Sequence, residues 1–265
     1  MKKLKDGTKL EAKGLWLHFG GIQALTDISF QVSEQEIVGI VGPNGSGKTC
    51  ILNIISGFYK PQKGEVFLEN EPITGLPPYQ IAKRGAGRSF QQMELFGGMT
   101  VLENLMVGCH PFVKGNIFSA GIYWKLSQKT ELYLRTVVEE VLDFMELEKY
   151  RKQPAGSLSI GIQKLVGVAR ALCSQPKILL LDEPSCGLSH DEKEDLARYL
   201  LRIKFEREIP IIWVEHDISL VRELADKLIV LDQGEKVADG LPEEVLARPE
   251  ILKIFGGITE SSITN

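Results

Sequence analysis

The chain has 265 residues, of which 43% are hydrophobic and 25% charged, a composition that supports a sizeable core and excludes disordered, collagen-like and mini-protein architectures. Its 31 Lys and Arg against 35 Asp and Glu leave a net charge of −4, so no broad basic field exists to hold nucleic acid or an anionic bilayer without specific sites. Cys50, Cys109, Cys173 and Cys186 stand far apart with no C-x-x-C pair, which argues against a zinc knuckle or a disulfide framework and for a reducing compartment. Asp6, Lys9 and Glu11 interrupt any early apolar run, and no stretch of roughly 18 uncharged apolar residues follows. The expectation is a chain that neither spans a membrane nor is exported.

In chain order, alternating apolar residues predict short strands at 15–19 and 28–32, and Ile37-Val38-Gly39-Ile40-Val41 reads as a buried strand that runs into glycines. Residues 50–55 have helical spacing and stop at Gly57; Pro61 and Gly64 punctuate a turn before a strand at 65–69. Between about 101 and 152 the strand signal disappears. Leu132, Leu134, Val137, Val138, Val141, Leu142 and Met145 recur there at helical intervals, which predicts a helical insertion. Its charge-poor stretch at 115–124 reads as a lid, a partner contact or a plain loop. From Lys177 the alternation returns as a strand at 178–181, a charged helix at 191–206, a strand at 209–214, a helix at 218–225 and a strand at 227–231. Continuous apolar strands that alternate with helices imply an α/β fold with a mainly parallel sheet covered on both faces. No internal repeat or low-complexity tract is visible.

Gly42-Pro43-Asn44-Gly45-Ser46-Gly47-Lys48-Thr49 fits G-x-x-x-x-G-K-[ST] and stands directly after a buried strand and before a helix. In that position glycines let backbone N–H groups turn inward around phosphates, the helix N-terminus adds partial positive charge, Lys48 neutralises phosphate oxygens and Thr49 offers a hydroxyl to Mg²⁺. A nucleotide site needs a carboxylate at the end of a neighbouring buried strand, and residues 178–181 deliver Asp182 there, followed by Glu183 and Pro184. Asp182 would hold Mg²⁺ through a water and Glu183 would polarise the water that attacks the γ-phosphate. The competing reading of Asp-Glu-Pro is a solvated helix cap. His216 follows another buried strand whose carboxyl end opens on the same edge as Asp182; it reads either as an ordinary surface or core histidine or as a donor to the γ-phosphate or the attacking water.

Taken in order, these residues resemble the nucleotide-binding subunits of ATP-binding cassette (ABC) transporters, and the resemblance covers nearly the whole chain. Further motifs carry it: Leu158-Ser159-Ile160-Gly161-Ile162-Gln163 at the place of the L-S-G-G-Q signature, Phe90-Gln91 as the Q-loop, Ser185-Cys186-Gly187-Leu188-Ser189 as the D-loop, His216 as the switch histidine, and Phe19 at the adenine-stacking position. The resemblance implies a P-loop NTPase core with an antiparallel β subdomain and a helical insertion. It implies one domain over 1–265, with the nucleotide-binding core at 1–91 and 176–265 and the helical signature subdomain at 92–175. The nucleotide contacts it implies are Phe19, the loop from Gly42 to Thr49 with Cys50, and, from the opposite chain, Ser159 and Gly161. Those two begin a helix whose free N–H groups would face the partner's γ-phosphate. Gln91, with Thr49 and Asp182, would reach Mg²⁺ or water and report nucleotide occupancy to the insertion. Trp16 and Phe19 also read as sheet core.

Departures accompany the likeness. Ile160 stands where the family usually has glycine, and Ile162 replaces the commoner glutamine, whose hydrogen bonds an isoleucine cannot make; a weakened donated signature is the expectation. Ser189 replaces the aspartate of many relatives. Residues 19–25, 90–96, 101–105, 115–121 and 214–217, with the tail from Pro242 to Gly257, are similar to the ATPases of branched-chain amino-acid importers, while urea, amide and carboxylate importers look much the same. That likeness implies ATP and Mg²⁺, a second ATPase subunit in a heterodimer or homodimer, permease subunits that dock near 91–103, an external solute-binding protein acting indirectly, no nucleic acid, and a place at the cytoplasmic face of the cell membrane. Competing classes are a soluble ABC ATPase without a channel, an exporter ATPase, and a scaffold that clamps nucleotide without cleaving it. Lys48, Glu183 and His216 all speak against the scaffold.

Overall fold

The alternating N-terminal segments pair as one long hairpin in a computed structural model that describes residues 7–89, 95–112 and 124–255. β1 (Thr8–Phe19) and β2 (Ile22–Ser33) run antiparallel, with Phe19 opposite Ile22 across the Gly20-Gly21 turn. Both strands are longer than the periodicity predicts, because register shifts along the pair break the alternation without ending the pairing. β4 (Lys63–Leu68) and β5 (Glu71–Pro72) complete a four-stranded antiparallel sheet in the order β2-β1-β4-β5.

The second sheet joins β3 (Ile37–Val41), β6 (Ala86–Ser89), β7 (Ile178–Asp182), β8 (Ile211–Val214), β9 (Lys227–Asp232) and β10 (Glu235–Gly240) in the order β10-β9-β3-β8-β7-β6. The four pairings from β9 to β6 are parallel, and β10 is antiparallel to β9. Every residue of β3, β7 and β8 is buried, which is why these segments read as unbroken apolar runs: both faces are covered. Successive side chains then sort by parity. Val38, Ile40, Ile178, Leu180, Ile212 and Val214 pack with the antiparallel sheet and α1 (Lys48–Ile55), while Ile37, Leu179, Leu181, Ile211 and Trp213 pack beneath the helices of the other face.

Those helices include α3 (Val101–Gly108), α4 (Trp124–Phe144), α5 (Ile160–Leu172), α6 (His190–Glu206) and α7 (Ile218–Leu224); α2 (Pro78–Arg84) precedes β6, and α8 (Pro242–Leu246) and α9 (Pro249–Ile254) follow β10. Leu134, Val137, Val138, Val141, Leu142 and Met145 are buried as the helical period predicts. Leu132 is exposed, one step outside the buried stripe. α3 and α5 touch backbone to backbone: a Cβ on Gly108 would lie 2.1 Å from the Arg170 carbonyl oxygen. Residues 115–123 of the charge-poor stretch lie outside the described residues. Among the described residues no helix is long and apolar enough to cross a membrane.

Candidate active site

The parallel register places the ends of β3, β7 and β8 on one edge, with Ile40 beside Val214 and Val214 beside Asp182. At that edge the chain leaves β3 through residues 42–47 and enters α1 at Lys48. Two glycines make this turn possible. A Cβ on Gly42 would lie 2.1 Å from the Leu231 carbonyl oxygen, and one on Gly47 (φ 99°) would lie 2.6 Å from that of Ala24, so the loop packs against β9 and β2 with no room for a side chain. Lys48 is buried and donates from Nζ to the carbonyl oxygens of Gly42 (2.8 Å) and Pro43 (2.9 Å). Burial pulls its pKa below the usual lysine value, opposed by the nearby Glu183 and Asp182 carboxylates. The buried Ser46 hydroxyl has no hydrogen-bond partner among the described residues.

Asp182, 3% exposed, divides its carboxylate between two donors. Oδ1 accepts from Thr49 Oγ1 at 3.3 Å and Oδ2 from Arg88 Nη2 at 3.0 Å. Burial raises the pKa of Asp182 and Arg88 pulls against it. Glu183 sits in the left-handed region at φ 47°, a strained backbone for a non-glycine residue. It is held there by its N–H on the Val214 carbonyl (2.9 Å) and by Lys164 Nζ of α5, which donates to its carbonyl at 3.1 Å. Its Oε1 lies 2.7 Å from His216 Nε2. Beneath this pair the buried Glu215 receives Ser185 N–H (3.0 Å) and Trp213 Nε1 (3.3 Å) on Oε1 and the His216 and Asp217 N–H groups (2.8 and 3.4 Å) on Oε2. One carboxylate thus joins the turn after Glu183 to the turn that carries His216. The sequence reading missed Arg88 and Glu215; the available signal was a charged residue in or directly after a strand of a doubly covered sheet, where a buried charge must have partners.

The ABC transporter family model matches residues 25–186. The chain belongs to the ABC transporter family. It is 36% identical over 254 residues to the high-affinity branched-chain amino acid transport ATP-binding protein BraF of Pseudomonas aeruginosa, covering 94% of this chain and 97% of that protein. Among solved structures, a nucleotide-free ATP-binding cassette from an ABC transporter superposes with a TM-score of 0.82 at 32% identity, covering 94% of this chain and 98% of that one. A dimeric ATP-binding cassette bound to ADP and Pi in a post-hydrolysis state gives a TM-score of 0.72 at 30% identity, covering 88% of this chain and 98% of that one. As an ABC cassette the chain is an ATPase that binds ATP.

The other motif residues of the cassette take distinct places. Phe19 is 46% exposed at the tip of the β1–β2 hairpin, edge-on to Tyr59 with 5.1 Å between ring centroids, so it is not a core residue. Cys50 is half-buried in the first turn of α1, where burial raises its thiol pKa. Ser159 caps α5, its hydroxyl accepting from the Ile162 N–H at 3.4 Å. A Cβ on Gly161 would lie 2.3 Å from Glu192 Oε1. Among the described residues no hydrogen bond joins Ser159 or Gly161 to the phosphate loop, unlike Asp182, which reaches Thr49. Ile160 is 49% exposed, whereas Ile162 packs partly buried against the core. Ser189 caps α6 with Glu192 in a capping box; serine and aspartate are interchangeable caps, so this departure keeps the helix start. Gln91 lies outside the described residues. A separate groove of about 800 Å³ has Phe58, Tyr79, Arg88, Phe96, Val107 and Arg170 in its wall.

Proposed function

We propose that this chain is the ATP-hydrolysing subunit of an importer for branched-chain or other hydrophobic amino acids, or for a related small solute such as urea, an amide or a carboxylate. The cargo class rests on the likeness to BraF over nearly the full length of both chains. Motor function rests on one observation: the phosphate loop, Asp182, and a Glu183–His216 pair at 2.7 Å share one edge of the sheet. In this reading the backbone of 42–49 and Lys48 hold the phosphates, Cys50 lines the start of α1, and Phe19 stacks on adenine.

The residues present fit Mg²⁺. Thr49 Oγ1 and Asp182 Oδ1 are hard oxygen donors 3.3 Å apart at the start of α1, and the orphaned Ser46 hydroxyl of the phosphate loop has a polar capacity that phosphate or its hydration would use. Bound there, Mg²⁺ would neutralise charge on the phosphate oxygens. Glu183 then serves as general base toward the attacking water, and His216 orients the Glu183 carboxylate and donates a hydrogen bond to the γ-phosphate or that water. Gln91 completes this set and links it to the insertion.

The organisation that goes with this reading is one domain over 1–265, with a nucleotide-binding core at 1–91 and 176–265 and a helical signature subdomain at 92–175. Ser159 and Gly161 serve the ATP of a second cassette, which in the importer is a different subunit or a second copy. Permease subunits dock near 91–103, and Phe96 in the wall of the groove supports that position. An external binding protein delivers solute to the permease, and the cassette lies at the cytoplasmic face of the membrane. Phosphate release by the purified chain with and without its co-purifying membrane protein tests the proposal. Glu183→Gln should retain ATP binding and lose hydrolysis by about 100-fold or more; unchanged turnover would sink the base assignment.

A further inference from the structure

Arg88 stands in β6 beside Leu180 of β7, and among the described residues its guanidinium reaches Asn53, Ser56 and Asp182 at once. Nη1 donates to Asn53 Oδ1 and Ser56 Oγ, each at 2.7 Å, and Nη2 donates to Asp182 Oδ2 at 3.0 Å. Ser56 Oγ in turn donates to the Leu52 carbonyl at 2.6 Å, so it is free to accept from Arg88 only through its lone pairs. Asn53 lies in α1 and Ser56 caps its carboxyl end; Thr49, in the first turn of the same helix, holds the other Asp182 oxygen. The helix that follows the phosphate loop is therefore tied to the end of β7 at both of its ends, and Asp182 is clamped at both of its oxygens. The Arg88 side chain is 7% exposed.

A buried carboxylate with one free torsion can rotate its oxygens away from a metal, and a planar charge-assisted donor on the far oxygen removes that freedom. Lysine cannot reproduce this arrangement, because a point ammonium has no flat fork to span helix and strand together. We infer that Arg88 is the positioning residue of the magnesium site, fixing Asp182 Oδ2 so that Oδ1 stays turned toward Thr49 and the metal. This rests on the reading of Asp182 and Thr49 as the Mg²⁺ side of the nucleotide site. The same guanidinium lies over the Phe58 ring at 5.7 Å in the wall of the 800 Å³ groove, so one side chain borders both features.

The test uses the full chain, Mn²⁺ as a paramagnetic probe and a non-hydrolysable ATP analogue, with free Mn²⁺ followed by electron paramagnetic resonance. Arg88→Met and Arg88→Lys should each weaken Mn²⁺ binding to the protein–nucleotide complex by about 10- to 100-fold. Fluorescent ADP binding in EDTA should stay unchanged, which reports an intact loop without metal. Asn53→Ala, which loosens the fork without touching Asp182, should weaken Mn²⁺ by a smaller factor. In turnover, the Mg²⁺ concentration for half-maximal rate should rise while the rate at saturating Mg²⁺ recovers. Wild-type Mn²⁺ affinity in both Arg88 variants would overturn the inference, and so would parallel loss of metal-free ADP binding in both, since Arg88 would then serve the fold at large. An Asp182→Asn variant that keeps wild-type Mn²⁺ affinity would instead overturn the underlying reading of Asp182.

Discussion

Glu215 and Asp217 show how single side chains set the position of the switch loop. Glu215 offers acceptors to four N–H groups and so bridges the turns after β7 and β8. Asp217 caps α7 through Oδ1 to the Leu220 N–H (3.2 Å) and pairs through Oδ2 with Lys193 Nζ of α6 (2.7 Å). Burial alone would raise its pKa, but the Lys193 hydrogen bond and the helix N–H outweigh burial and leave it below the ordinary value. A carboxylate depressed in the folded state contributes stability above its unfolded pKa of about 3.9 and loses it as pH falls through the lower folded value. Asp217→Asn keeps a good cap and removes only the charge. Its expected cost at pH 7 is at most about 1 kcal/mol, since solvent screens this partly exposed pair. Urea titrations should show the gap to wild type narrowing as pH drops below about 4, with no gap at any pH counting against the ion pair.

At the scale of elements, the start of α6 supports the start of α5. Ser189 and Glu192 form a capping box, and the Glu192 carboxylate packs against Gly161, where an added Cβ would lie 2.3 Å from Oε1. The helix that follows the D-loop residues thus steadies the signature turn through one side chain. Ser189→Ala should lower stability by about 1 kcal/mol, read as a drop in thermal midpoint. Ser189→Asp should restore it, because both residues cap; no restoration would mean that the hydroxyl does more than cap. The helical stripe of α4 was legible because tertiary packing uses the period that the sequence carries. Leu132 keeps the helical interval yet is exposed, because a period identifies a face and not how far the neighbours extend along it. β10, α2, α8 and α9 drew no prediction from periodicity: each is short, and their pairing depends on partners distant in the chain.

For the whole molecule, the proposed function divides the labour between two cassettes. In that proposal Ser159, which caps α5, and Gly161 serve the partner's nucleotide and not the chain's own. With ATP, Glu183→Gln should associate into a two-cassette particle, alone or with its paired subunit, measurable by light scattering after size exclusion. Adding Ser159→Arg should abolish that particle while ATP binding to the single chain persists; association that survives would exclude the signature from the interface. The exposed Ile160 leaves the fold of one chain undisturbed, so any effect of that departure belongs to the assembled pair. That the glycine loop, Asp182-Glu183 and His216 share one edge was readable from sequence because each directly follows a strand that announces itself by burial on both faces. Arg88 and Glu215 carried only the signal of a charge in or directly after a strand, which marks a buried charge but not the partners that long-range packing brings to it. Tertiary structure alone decided that β6 borders β7 and that the turns after β7 and β8 meet, because strand order is settled by long-range packing that leaves no period in the chain.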